Sequence, residues 1–293
     1  MPWIQLTVSA PEKHAPNIGD MLEGNGAMAV TYRDAQDNPI FEPPLGELVY
    51  WQETLVTGLF PAETNLAPVI ENLKKSSYFK DGFNYKTDQL EDKDWEREWM
   101  DNFHPIQFGK RLWVCPTWRE IPDPAAVNIM LDPGMAFGTG THPTTALCLG
   151  WLDGQELSDK TVVDFGCGSG ILAIGALLLG AKRAVGIDID KQALLASMEN
   201  AERNGVAEQL EVYLPSNQPT LKADVVVANI LAGPLQELAQ VITDYVGEGG
   251  ELVMSGILER QIPAVQAAYQ EHFEFSPPQV KDGWVMLHAK RRL

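Results

Sequence analysis

The sequence predicts an α/β protein: an open, mostly parallel sheet carries the chemistry, and a smaller α+β unit precedes it. Three observations point there. Residues 162–190 read as strand, glycine turn, helix and strand, with apolar runs at Val162 to Phe165 and Val185 to Ile187 and a Leu, Ala and Ile-rich stretch between Ile171 and Leu179. Ala223 to Asn229 has the continuous apolar look of a strand buried on both faces. Upstream, residues 1–88 instead follow the order β, α, β, β, α, β, which suggests a small ferredoxin-like domain with a long insertion.

The bulk composition sets limits on this picture. At 293 residues the chain has room for two domains, and 45% hydrophobic with 21% charged content is ordinary for a globular protein. There is no run of about 18 uninterrupted apolar residues, and no basic segment followed by an apolar one at the start, so neither a membrane span nor a secretion signal is indicated. Cys115, Cys148 and Cys167 are odd in number and far apart. They build neither a disulfide framework nor a Cys-x-x-Cys metal knuckle, which fits a reducing cytoplasm. The formal net charge of −18 disfavours binding to phosphate backbones and favours a basic partner, although an acidic surface also serves plain solubility.

In chain order, Pro2 to Val8 alternates like a half-buried strand, and Asn17 to Glu23 forms a short helix before the Gly24-Asn25-Gly26 break. Ala27 to Tyr32 is a strand. After a loop with Pro39, Pro43 and Pro44, Thr54 to Phe60 is strand-like, Leu66 to Lys75 helical and Phe83 to Thr87 strand-like again. From Asp88 to Asp101 seven acids face only Lys93 and Arg97, and Trp95 and Trp99 stand four apart on one helix face. An acidic helix spanning 89–110 is therefore expected between a first domain, 1–88, and a second, 111–293. It is either a solvated connector whose tryptophans pack or a grip for a lysine-rich partner.

The glycine turn holds the main chemical signal. A dinucleotide fingerprint requires G-x-G-x-x-G, but here the glycines fall at 166, 168 and 170, Ile171 takes the third dinucleotide position, and Asp164 stands two residues ahead of Gly166. The pattern resembles motif I of the S-adenosylmethionine-dependent methyltransferases. That cofactor carries an ammonium and a sulfonium but no phosphate, so a carboxylate at the turn attracts it and would repel a pyrophosphate. Asp188, at the tip of the next strand, can accept hydrogen bonds from both hydroxyls of a ribose, while Asp190 is the better N-cap for the helix that starts at Lys191. Dinucleotide folds use an acid at the same place, so Asp188 alone does not discriminate. Cys167, with no histidine nearby in sequence, reads as a small packing residue rather than a nucleophile.

Ahead of this turn, strands at Arg111 to Cys115 and Val127 to Leu131 lead into Phe137-Gly138-Thr139-Gly140-Thr141-His142-Pro143-Thr144-Thr145. This loop is similar to the signature of the ribosomal protein L-11 methyltransferases. Asp94-Trp95-Glu96-Arg97-Glu98-Trp99 and Ala228-Asn229-Ile230-Leu231 agree with the same family, so the resemblance extends over most of the chain. Pro143 can begin a helix through Leu152, with Thr144 and Thr145 in its first turn. The resemblance implies that Thr145 helps to hold the cofactor. A hydroxyl there can bond a carboxylate while free helix N–H groups assist. His142 finds no second ligand at metal-binding spacing.

Beyond the turn, Leu194, Met198 and Ala201 mark a helix, Leu210 to Leu214 a third strand, and Ala223 to Asn229 a fourth. Strand tips border the crevice in open α/β sheets, so Asn229 is expected to face cofactor and substrate. Ile230-Leu231-Ala232 stands where many methyltransferases of planar amines have Pro-Pro-Tyr, which argues against a flipped nucleobase. Leu235, Leu238, Ala239, Ile242 and Val246 form a helical stripe, Gly249 to Ser255 a strand, and Trp284 to Ala289 a closing strand. Pro263 is compatible with a helix only near its start. The resemblance completes this as the Rossmann-like seven-stranded sheet of the class, with its last strand antiparallel.

The implied cofactor-binding residues are Thr145, Asp164, Gly166, Gly168, Asp188 and Asn229, with no metal and no identified general base. The implied reaction is methyl transfer from S-adenosylmethionine to lysine side-chain and N-terminal amines of ribosomal protein L-11. The first domain would recognise that substrate, with no membrane and no direct nucleic-acid substrate involved. The competing readings are a methyltransferase of another protein or a small molecule, a nicotinamide-dependent oxidoreductase, and a noncatalytic cofactor-binding module.

Overall fold

The computed structural model describes residues 3–36, 49–79, 82–90, 100, 103–132 and 140–293. The proline loop at 39–44, the acidic segment with Trp95 and Trp99, and the Phe137-to-Thr139 part of the glycine-threonine loop lie outside the described residues. The chain forms two compact units, Met1–Asp101 and Asn102–Leu293.

The first unit runs β1 (Trp3–Pro11), α1 (Ala15–Gly24), β2 (Ala29–Asp34), β3 (Glu53–Pro61), α2 (Ala67–Lys75) and β4 (Tyr85–Leu90). Its antiparallel sheet has the order β2-β3-β1-β4. This is the split β-α-β arrangement expected from the element order. Alternation sets the register: Leu6, Val8 and Ala10 of β1 and Val56 and Phe60 of β3 are buried, and they pack with Ile18 and Leu22 of α1 and Val69 and Leu73 of α2 in one core.

The second unit opens with a three-stranded sheet, β5 (Ile106–Phe108), β6 (Leu112–Cys115) and β7 (Val127–Met130), of which β5 was not anticipated from sequence. Then α3 (Pro143–Asp153) leads into β8 (Thr161–Phe165), α4 (Ile171–Leu178), β9 (Arg183–Ile187), α5 (Lys191–Arg203), β10 (Leu210–Tyr213), β11 (Ala223–Asn229), α6 (Ala232–Glu237) and α7 (Ala239–Tyr245). The chain closes with β12 (Val246–Leu258), α8 (Ile262–Tyr269), β13 (Phe273–Phe275), β14 (Gln279–Lys281) and β15 (Trp284–Arg291). Strand order along the main sheet is β10-β9-β8-β11-β12-β15-β13, and β14 pairs with β15 off that path. Strands β10 to β12 are parallel, and β15 is antiparallel to both of its neighbours on the path. The seven-stranded Rossmann-like layout is therefore present. Its short edge strand β13, three residues long, had no periodicity from which to be read.

One expectation needs correcting in detail. Leu238 was grouped with the buried stripe of a single helix, but the helix breaks there into α6 and α7, and Leu238 is 37% exposed. Leu235 and Ile242 carry that stripe into the core beside Ala232 and Tyr245, Ala239 packs against it, and Val246, also buried there, already belongs to β12. Pro263 sits in the first turn of α8, where its missing N–H has no partner to lose.

The small sheet is fastened to α3 through one carboxylate. Buried Asp153, the last residue of α3, accepts hydrogen bonds from the backbone N–H of Lys110 (2.6 Å) and Arg111 (3.1 Å), while the Arg111 guanidinium donates to the Asp153 carbonyl at 2.7 Å. A side chain at Gly109 would come within 2.3 Å of the Asp153 carboxylate, and φ there is +65°. From the other side, Asn204 takes the N–H of Met130 at 2.8 Å and donates to its carbonyl at 2.9 Å. Replacing Asp153 by Ala strands two backbone donors at about 1–3 kcal/mol each. Asp153→Ala should therefore lower the stability of the second unit by about 3 kcal/mol, read as a fall in the urea midpoint with little change in slope.

Candidate active site

The carboxyl ends of β8, β9 and β11 meet on one edge of the sheet, and the loops there enclose a cavity of about 1010 Å³. That lies at the top of the range of roughly 300–1,000 Å³ usual for small-molecule sites. Thr145, Gly166, Gly168, Asp188 and Asn229 all line it. Asp164 does not.

The glycine turn is built for close approach. Gly166, Gly168 and Gly170 have φ of +80°, +54° and +79°, which side chains rarely adopt. A Cβ at 166 would lie 2.3 Å from the Ile230 side chain, and one at 170 would lie 2.9 Å from the Ser197 hydroxyl. Helix α5 holds the turn from behind: the Ser197 hydroxyl donates to the Gly168 carbonyl and the Asn200 amide to the Ser169 carbonyl, each at 2.9 Å. The N–H groups of Gly166 and Cys167 donate to the Ile187 carbonyl at 2.7 and 3.1 Å.

Asp190 takes the capping role that its position suggested. Asp190 accepts the Gln192 N–H at 2.9 Å and caps α5. Asp188 faces the cavity; one oxygen accepts the Gly168 N–H and the other the Asp190 N–H, each at 2.9 Å. Each carboxylate oxygen keeps a lone pair for a hydroxyl.

Asp164 lies behind the turn, 1% exposed. One oxygen accepts the Ala173 N–H in the first turn of α4 at 3.1 Å, and the other has no hydrogen-bond partner. Burial pushes its carboxyl up to about 7, against the Ala173 hydrogen bond and with a further push from the Asp188 charge. The same turn aims the N-terminus of α4 at the cavity, which by itself favours anions. A cation held there needs negative charge close by, and among the described residues the charged side chains that line the cavity are Asp188 and Glu237, with no lysine or arginine. These residues fit a cationic nucleoside better than a phosphorylated one.

On the far side, His142 caps α3: its Nδ1 accepts the Thr144 N–H at 3.3 Å and lies 2.7 Å from the Thr144 hydroxyl. Burial lowers its basicity. Thr145 is buried, and its hydroxyl oxygen accepts one N–H of the Asn229 amide at 3.3 Å, which sets the amide orientation. Behind Ile230, β12 carries a bulge at Gly256, φ +85°, where a Cβ would lie 2.3 Å from the Ile230 carbonyl. Sequence reasoning missed Gly256, and it read His142 and Trp284 only as a possible metal ligand and a strand residue. The signal for both aromatics was their place at element ends on the ligand edge. Burial raises the Cys148 and Cys167 thiols far above their usual range, so neither is a nucleophile. Among the described residues, no group of three His, Cys, Asp or Glu side chains could hold a metal ion, and no helix is long and apolar enough to cross a membrane.

A family model described as ribosomal protein L11 methyltransferase (PrmA) matches residues 2–292. The chain belongs to the ribosomal protein L11 methyltransferase family. Curated relatives of that name include one from Idiomarina loihiensis, 62% identical over 291 residues and 99% of each chain, and one from Pseudoalteromonas atlantica, 59% identical over 292 residues and 100% of each. Among solved structures, a ribosomal protein L11 methylase from Lactobacillus delbrueckii subsp. bulgaricus is 33% identical with a TM-score of 0.59, covering 65% of this chain and 100% of that one. The chain is thus a methyltransferase, and the resemblance read from the loop at 137–145 and the turn at 164–170 holds along nearly its whole length.

The buried carboxyl of Asp164 has a measurable consequence. In the unfolded chain it ionises near 3.8, in the folded protein only near 7, so folding loses stability as pH rises through that window and none further above it. The rise corresponds to at most about 4 kcal/mol. Urea unfolding without ligand should show Asp164→Asn more stable than wild type at pH 7.5 and nearly equal at pH 4.

Proposed function

We propose that this chain transfers methyl groups from S-adenosylmethionine to lysine side-chain and N-terminal amines of ribosomal protein L11. The observation that carries this reading is the glycine turn over a helix N-terminus whose nearby charges are carboxylates. It is a cradle for a cationic nucleoside, and the net charge of −18 suits a basic protein and repels nucleic acid. When bound, the cofactor supplies a methyl group on a sulfonium sulfur, open to in-line attack by an amine.

The chain's own residues do the rest. Asp188 takes the ribose hydroxyls with the lone pairs that Gly168 and Asp190 leave free. The hydroxyl and backbone N–H of Thr145 would receive the carboxylate of the amino-acid moiety, since Pro143 has no N–H and those of Thr144 and Ala146 bond His142. Asp164, behind the turn, offsets the positive end of α4 beneath the cationic groups. The free carbonyl oxygen of the Asn229 amide accepts an N–H of the incoming amine and points its lone pair at the methyl group. A lysine has a pKa of about 10.4 and an α-amine about 7.7–8.0, so the nucleophile must shed a proton. The largely apolar cavity wall, including Ile171, Leu172, Ile230 and Leu231, favours the neutral amine by desolvation. His142 is no base at Nδ1, where the Thr144 N–H holds the lone pair. Alignment supplies most of the acceleration.

The ferredoxin-like unit is the part of the chain that recognises the protein substrate, and the acidic segment between β4 and β5 is its connector. The cytoplasm, where three buried thiols stay reduced, is the place of action.

Incubation with labelled S-adenosylmethionine and a mixture of ribosomal proteins tests the assignment: label should enter L11, while label in RNA or in no species would refute it. Asn229→Ala should reduce turnover by about 10²-fold, since it removes both the acceptor for the amine and the partner of Thr145. A chain lacking residues 1–88 should still bind the cofactor in calorimetry but methylate L11 at least 10²-fold more slowly; full activity would remove the recognition role.

A further inference from the structure

One wall of the cavity holds a polar atom that the fold itself leaves unused. The side-chain oxygen of Gln218, a lining residue, is buried and has no hydrogen-bond partner among the described residues. A buried acceptor without a donor is costly and uncommon in a folded chain, so a cavity wall that keeps one suits a ligand that supplies the donor.

The surroundings of Gln218 are fixed from three sides. Strands β9 and β10 run side by side as far as Ile187 and Tyr213, and the Asp188 N–H extends the pairing by donating to the Tyr213 carbonyl at 3.2 Å. There the two segments part. One turns through Asp188 and Asp190 into α5, and the other turns tightly at Pro215–Asn217, where the Asn217 N–H donates to the Leu214 carbonyl at 3.0 Å. Past Gln218 the loop is fastened again, because the Tyr245 hydroxyl of α7 donates to the Pro219 carbonyl at 2.9 Å. Val241 lies one helical turn before Tyr245 and shares its face of α7. Gln218 is thus set between the tip of β10 and that face of α7. Pro215, Leu238 and Val241 line the same cavity, as does Ile189, which follows Asp188 and is 85% exposed.

Apolar side chains around one carboxamide suit a flat, weakly polar ring that carries an N–H on its edge. A sulfonium or a carboxylate gains nothing from such a wall, and an ammonium would need more than one neutral oxygen among apolar groups to leave water. A purine with an exocyclic amino group fits. A glutamine carboxamide matches that edge in particular, oxygen to amino group and nitrogen to ring nitrogen.

We propose that Gln218 selects the cofactor by its base: the buried oxygen accepts an N–H of the adenine amino group, while the apolar side chains beside it cover the ring. This rests on S-adenosylmethionine being the methyl donor, and it is independent of which amine receives the methyl group. The glycine turn and Asp188 contact parts that any nucleoside derivative of homocysteine has. Gln218 adds discrimination among bases.

Calorimetry on the full-length chain tests this by comparing S-adenosylhomocysteine, the cofactor without its methyl group, with the 6-deamino analogue, in which hydrogen replaces the amino group. Wild type should bind the adenosyl compound about tenfold more tightly, as expected for one hydrogen bond. Gln218→Leu should weaken the adenosyl compound about tenfold and leave the analogue within twofold of its wild-type affinity, so that the preference for the amino group disappears. Gln218→Glu, which keeps an acceptor oxygen, should retain a preference of at least threefold. Equal binding of both compounds by wild type would overturn the proposal, as would a preference that survives Gln218→Leu. Equal losses for the two compounds in that variant would also overturn it, since they would mark a merely structural role. Wild type that binds neither compound would overturn the cofactor reading itself, and with it this role for Gln218.

Discussion

The glycine turn between β8 and the N-terminus of α4 is the constraint around which the second unit is built. The N-terminus of α4 faces the cavity, and the carboxyl of Asp164 meets that helix end from behind the turn through the Ala173 N–H. That placement costs burial of a carboxyl, and it leaves the turn itself free of side chains. Close packing then spreads outward. The absence of a Cβ at Gly166 admits Ile230, and the absence of one at Gly256 admits the Ile230 carbonyl. The tips of β8, β11 and β12 thus lock together through three residues, and Asn229 inherits a fixed position from the residue that follows it.

In the proposed reaction the acceptor amine faces two opposed demands. It arrives from water as an ammonium and must react as a neutral amine. In that reading Asn229, one N–H of which is held by the Thr145 hydroxyl, would offer its carbonyl oxygen to an N–H of the neutral amine and so keep the amine's lone pair available.

Much of this was legible in the sequence where short-range rules apply. The strand, turn and helix around residues 162–190 declared themselves through glycine spacing and apolar runs, and Asp188 and Asp190 could be assigned because a strand tip and an N-cap impose different geometry. The split β-α-β order of the first unit followed from element order. What stayed hidden depends on distant parts of the chain. Asp164 was read as facing the ligand, whereas it lies behind the turn, because a motif gives spacing and not the direction of a side chain. Gly256 and Trp284 gain their importance only from the strand order that sets β12 and β15 beside β11, and three-residue β13 has too few side chains to show alternation.

The placement of β15 has one more consequence. It runs between β12 and β13, so β13 reaches the sheet only through a strand that comes later in the chain. An N-terminal fragment that stops before residue 284 would have the turn and its carboxylates, yet its sheet would end at β12 with an unpaired apolar edge and one wall of the cleft open to water. Completing the enzyme and closing its binding cleft are one and the same folding event.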